Sequence, residues 1–176
     1  MKRMQVIGFS MALIVLGAVG ASAALKDGAT PPMMHVKVLA GVDVGKAECF
    51  TCTRAMNPGA LVFVTENNKD VAGLVKRLDG FIAQKGGHWG ATVVFLGNAG
   101  KDQAAIKRLA TSEHISHVSL AIVDLQSDVP QWDLGTAHPV NAYLVDHHKI
   151  EGYWGSAYPH CGQLVADIAK ASSGLS

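Results

Sequence analysis

Residues 60–65 read Ala-Leu-Val-Phe-Val-Thr, residues 91–96 Ala-Thr-Val-Val-Phe-Leu, and residues 118–123 Val-Ser-Leu-Ala-Ile-Val. Each run is short, apolar and rich in β-branched residues, the pattern of a strand buried on both faces. Between the first two runs, Asn68 or Asp70 is placed to cap a helix. Its Val71, Leu74, Val75, Leu78, Phe81 and Ile82 recur at helical spacing, and Gly86-Gly87 stops it. Between the second and third, Ala105, Ile106 and Leu109 mark the inward side of a shorter helix that ends before His114. Strand, helix, strand, helix, strand at these spacings means two right-handed crossovers and a parallel sheet.

Downstream, Asn141-Ala-Tyr-Leu-Val145 and Lys149-Ile-Glu-Gly-Tyr-Trp154 flank Asp146-His147-His148, which predicts a hairpin and so an antiparallel pair. After Pro159, Leu164, Val165, Ile168 and Ala169 describe one face of a closing helix. The expected domain is α/β, with βαβαβ, a hairpin and a C-terminal helix around a central mixed sheet. Upstream of residue 58 the pattern weakens. His35 to Leu39 predicts a short strand, and residues 40–57 a loop with one helical turn. Residues 24–34 include a Pro-Pro pair and have no apolar period, so they are expected to form a flexible lead-in.

The chain has 176 residues, 49% hydrophobic and 16% charged, which fits one globular domain and excludes a disordered or coiled-coil chain. Aromatics make up 6%, so the core is expected to come from Val, Leu, Ile and Ala. A formal charge of +1 leaves no electrostatic footprint for nucleic acid. The first 23 residues carry Lys2 and Arg3, an uncharged run from Met4 to Gly20 and Ala21-Ser22-Ala23. That order describes a secretory signal peptide, the alternative being an uncleaved membrane anchor. Lys2 and Arg3 are its only charges, so removing it turns +1 into −1. The expected organisation is a signal over 1–23, an arm over 24–57 and the main domain over 58–176, exported to the periplasm or secreted.

The order of elements resembles the thioredoxin fold over about residues 58–172. Ala142-Tyr-Leu-Val-Asp146, Lys149-Ile150, Gly155 and Cys161-Gly-Gln-Leu164 are similar to the C-terminal part of thioredoxins. Val129-Pro-Gln-Trp-Asp-Leu-Gly135 stands where that family has a short helix before its active-site proline. Gly45-Lys46, Cys49-x-x-Cys52 and Asn57-Pro58 ahead of a buried strand resemble a group of exported bacterial thioredoxin-like proteins. The departures matter. The family's C-x-x-C follows its first central strand, which here corresponds to Glu66 to Val71, where no cysteine stands. Best alignment puts Val140 at the family's cis-proline, with Pro139 one residue early. The cysteine pair is therefore expected at the opposite end of the sheet from the family's site.

Three readings stay open for Cys49-Phe50-Thr51-Cys52. In a thiol–disulfide oxidoreductase one thiolate attacks a partner disulfide and the other resolves the mixed disulfide, with exported protein thiols as partners. The resemblance implies Cys49 as nucleophile, and Lys46 and Arg54 are candidate positive neighbours, opposed by Glu48. A structural disulfide pinning the arm of a non-catalytic interaction domain is the second reading. The third is a Zn or Cu site in which Met33, Met34 and His35 add ligands. Thr53 stands where a c-type haem motif needs His, and no Thr lies three residues before either cysteine, as a peroxiredoxin site would ask. No cofactor is expected. Cys161 is expected to be a buried thiol, or a reactive one if His160 and the helix start activate it. His147-His148 is expected to be a solvated turn.

Overall fold

The computed structural model describes residues 24–135 and 137–175. The expected signal over 1–23 lies outside them. A single seven-stranded mixed sheet runs through the molecule. Its strands are β1 (His35–Gly41), β2 (Ala47–Cys49), β3 (Gly59–Val64), β4 (Gly90–Phe95), β5 (Val118–Val123), β6 (Val140–Asp146) and β7 (Lys149–Ser156). They lie in the order β2-β1-β5-β4-β3-β6-β7. β3, β4 and β5 are parallel and the other pairings antiparallel. The helices are α1 (Phe50–Thr53), α2 (Lys69–Lys85), α3 (Gly97–Lys101), α4 (Gln103–Glu113) and α5 (Cys161–Ala171). The expected βαβαβ unit, hairpin and closing helix are all present.

Strands β3, β4 and β5 are laid down one after another in the same direction. Two right-handed crossovers in one direction must place α2 and α4 on the same face. Alternation along the strands confirms it. Ala60, Val62 and Val64 share an aliphatic cluster with Leu74 and Leu78 of α2, Ile106 of α4 and Leu164 of α5, whereas Leu61 and Phe63 belong to the opposite cluster. Asn68 caps α2 by accepting the N–H groups of Asp70 and Val71 at 3.0 and 3.1 Å. Asp79, buried on α2, accepts the N–H groups of Ser116, His117 and Val118 and so fixes the start of β5.

Among the described residues the second face has no long helix, and what covers it corrects the reading of residues 24–34. They form no regular structure but are packed rather than free. Gly28 N–H bonds the Ile150 carbonyl at 2.7 Å, Ile150 N–H bonds Ala29 at 2.8 Å, and Met34 is fully buried. The strip crosses the face from β7 to β1. Aromatic residues complete the cover: Trp132 stands 5.7 Å from Phe63 and 5.1 Å from Tyr143, and Tyr143 stands 4.8 Å from Tyr153. Trp132 Nε1–H reaches the Met33 carbonyl at 3.3 Å, and the Tyr143 hydroxyl donates to the Trp132 carbonyl at 2.5 Å. The core is mainly aliphatic under the helices, as composition suggests, with Phe95 and Trp89 as its buried aromatics, and the other buried aromatic side chains gather under the strip. The loop expected over 40–57 also contains the edge strand β2 besides its helical turn α1.

Candidate functional site

Cys49 ends β2 and Cys52 lies in α1, and the two form a disulfide with Cα atoms 5.3 Å apart. Cys49 caps α1: the Cys52 N–H donates to its sulfur at 3.3 Å, and Thr51 Oγ1 lies 3.4 Å from the same atom. Thr53 Oγ1 donates to the Cys49 carbonyl at 3.0 Å. Cys52 is exposed and Cys49 half-buried. Phe50 anchors the turn, 1% exposed in the aromatic cluster, with its N–H on the Met34 carbonyl at 2.8 Å.

Cys49 pairs with His35, and the next residue, Val36, pairs with Val123 at the carboxyl end of β5. From there the chain crosses the second face to Gly59, at the amino end of β3. The pair is expected at the opposite end of the sheet from the thioredoxin position, and the structure corrects this for Cys49, because the carboxyl ends of the parallel strands β3, β4 and β5 lie together. In the structure the segment does reach β3 from that end, but Cys49 itself starts level with the carboxyl end of β5.

Arg54 lies across Gly59 and Gly90, which face each other on β3 and β4. A Cβ on Gly90 would meet the Arg54 guanidinium at 2.0 Å, and one on Gly59 would meet its stem at 3.1 Å and the Phe50 ring at 3.3 Å. Burial draws the Arg54 pKa down, and Glu48 and Asp43 partly offset it. Glu48 is pushed up, first by burial and then by Asp43, with Arg54 and Lys46 pulling the other way. Lys46 is engaged with Asp43 at the surface. Of the two expected positive neighbours, Arg54 is therefore the one built into the fold.

His35 is held from the other side. Its Nδ1 lies 2.7 Å from Asp128 Oδ2, and its backbone N–H donates to the same oxygen at 2.8 Å. Asp128 is 5% exposed. Burial pushes its pKa up, but the two His35 contacts outweigh that and leave it below the ordinary value. Sequence reasoning missed Asp128, since it shares no local pattern with residue 35. It also grouped Met33, Met34 and His35 as ligands. Met34, just before β1, is buried in the aromatic cluster, while His35, the first residue of β1, faces Asp128. Among the described residues no group of three His, Cys, Asp or Glu is arranged to hold an ion.

Cys161 is free, 2% exposed, and packed in the aliphatic cluster, across the sheet from Phe50. Burial, reinforced by Asp70, pushes its thiol up to about 11, so neither the exposed His160 nor the helix start makes it reactive. His147 and His148 are exposed at φ 44° and 61°, the two central residues of the hairpin turn, with His147 Nδ1 on Asp146 at 2.8 Å.

At the carboxyl end of β3, where the thioredoxin resemblance places cysteines, lies a cavity of about 410 Å³ lined by Thr65, Leu134, His138, Pro139 and Asn141. It contains no cysteine. No peptide bond among the described residues is cis, Pro139 included.

No protein-family model matches the chain, and no curated protein matches it either. Solved structures do. A peroxiredoxin-like protein from Aquifex aeolicus is 14% identical over 86% of this chain and 90% of its own, with a TM-score of 0.62. A proposed thiol:disulfide interchange protein DsbE from Chlorobium tepidum is 12% identical over 84% of this chain and 99% of its own, also with a TM-score of 0.62. Peroxidoxin BcpB from Mycobacterium tuberculosis is 12% identical over 84% and 97%, with a TM-score of 0.60. The chain has a thioredoxin-like fold. At such identities the likeness carries the architecture, and the thioredoxin-like sheet of this chain keeps its cysteine pair on β2 and α1 rather than at the head of α2.

Proposed function

We propose that the protein is an exported thiol–disulfide oxidoreductase that exchanges its Cys49–Cys52 disulfide with cysteines of another exported protein. The observation that carries this reading is the placement of the disulfide, with one sulfur's residue exposed and the other half-buried and hydrogen-bonded. A partner thiolate meets Cys52 first. The sulfur it displaces, that of Cys49, receives the Cys52 N–H and lies beside the Thr51 hydroxyl, and donors of this kind stabilise a thiolate. Exposure therefore favours Cys52 for the mixed disulfide and Cys49 for the leaving and resolving role, the reverse of the thioredoxin analogy. Exposed Met33 and Met56 flank the pair in sequence and supply adaptable apolar surface for a protein partner.

Export is part of the proposal, because a disulfide persists in an oxidising compartment and the chain opens with the signal pattern of residues 1–23. No helix among the described residues is long and apolar enough to cross a membrane.

Trapping tests the assignment. In a Cys49→Ser variant, Cys52 attacks a peptide disulfide and stays bound to it, because no second thiol resolves the adduct. The expected result is a stable mixed disulfide at Cys52 by mass spectrometry, and at least tenfold less adduct with Cys52→Ser. If neither variant forms one, the pair is a structural pin and the domain binds its partners without exchange.

A further inference from the structure

We infer that His35, held by the buried Asp128 carboxylate, is the proton partner of the Cys49 thiolate. The inference rests on the exchange reading above and assigns it a residue on a different strand. Its basis is strand register. His35 and Cys49 are directly opposed on antiparallel neighbours. His35 gives its N–H to Asp128, and its carbonyl takes the N–H of Asp124. The next bond of the β1–β2 ladder runs from Phe50 N–H to Met34. The His35–Cys49 pair is thus the narrow, non-hydrogen-bonded kind, with Cα atoms about 4.5 Å apart and side chains on one face at their closest.

Asp128 fixes the ring. With Nδ1 committed to the carboxylate, Nε2 is the nitrogen left to carry a proton outward, and the imidazole remains about one-third exposed. Two other His–Asp contacts occur among the described residues. Asp79 beside His117 terminates three backbone N–H groups, and Asp146 beside His147 sits in a hairpin turn. Neither of those histidines is paired in the sheet with a cysteine.

A partner thiolate attacks Cys52 Sγ, a partner–Cys52 disulfide forms, and the Cys49–Cys52 bond breaks with its electron pair going to Cys49 Sγ. A proton on the His35 imidazole passes to that thiolate. A second partner thiolate then attacks the partner's own sulfur in the mixed disulfide and releases Cys52 as thiolate. The partner dithiol loses two electrons and the cysteine pair gains them. In reverse, neutral His35 accepts the Cys49 proton before Cys49 attacks. Asp128 is a positioning residue here.

The charged groups around His35 are Asp128 and Asp124 following β5, Lys37 on its own strand, and Glu48 and Lys46 on or beside β2. Alkylation of Cys49 isolates the pair from them. In a Cys52→Ser chain, the iodoacetamide rate at Cys49 is followed against pH by mass spectrometry. Adding His35→Gln is expected to slow labelling about tenfold where the parent thiol is only partly ionised, the effect of removing the proton-accepting group opposite it. Asp128→Asn, which keeps an oxygen for the His35 N–H, is expected to fall between, and Lys37→Gln to change nothing. Superimposable profiles for the folded His35→Gln or Asp128→Asn chain and its parent overturn the inference. Alkylation needs no partner protein, so lack of exchange in the unsubstituted protein overturns the function proposed above, not this pairing.

Discussion

A disulfide that cycles must be dispensable to the fold, and the structure allows its contribution to be worked out. Cys49 and Cys52 are three residues apart and close a ring of four. Loop-closure entropy for so small a ring stabilises the folded state by about 2 kcal/mol. Other anchors hold the same turn. Phe50 is fully buried and its N–H is bonded to Met34; burial of such a side chain is worth about 1.5–3 kcal/mol. Arg54 lies on the paired glycines 59 and 90. Reduction should therefore leave the sheet and the strip over its second face in place. Thermal unfolding, followed by circular dichroism with and without a phosphine reductant, should show one cooperative transition lowered by about 4–8 °C. A Cys49→Ser, Cys52→Ser double variant should melt with the reduced protein. Collapse of the transition on reduction, or a fall beyond about 15 °C for a chain this size, would refute the reasoning and make the pair a clamp.

Three further outcomes follow from particular contacts. Trp132→Ala empties the centre of the aromatic cover and should cost about 3–5 kcal/mol in a denaturant titration, with residues 24–34 becoming the first site of proteolysis. Gly90→Ala puts a methyl into the Arg54 guanidinium, whose flexible end can swing away. Stability should then change by less than about 1 kcal/mol, but the Glu48 carboxyl, which Arg54 holds down, should titrate higher by NMR. Cys161 titrates near 11, above its unfolded value of 9.0. Its contribution to stability is thus whole below pH 9 and lost as pH rises towards 11, and native protein should resist iodoacetamide at Cys161 at pH 8 while unfolded protein reacts.

The central strands were legible because apolar runs bounded by turn residues are local signals, and β3, β4 and β5 agree with the runs at 60–65, 91–96 and 118–123 within a residue or two. The packing of residues 24–34 was not. It depends on Ile150, more than a hundred residues away, and on an aromatic face assembled from five separate segments. A stretch with prolines and no period gives no sign that distant backbone groups will complete it. The candidate site shows the same division. Cys49 and Cys52 are visible as a motif, and Arg54 as a neighbouring charge. Asp128 reaches His35 across 93 positions of sequence, through a bond that exists only once the sheet has formed. Register likewise decides that His35 faces a cysteine, while Met34 beside it is buried.

The most direct test of the whole account is the reduction potential of the Cys49–Cys52 pair in the protein without residues 1–23, measured by thiol trapping and mass spectrometry across a series of redox buffers. The account predicts a value between about −120 and −270 mV, the range of exchange catalysts. A value below about −300 mV, where structural disulfides of secreted proteins lie, would contradict it.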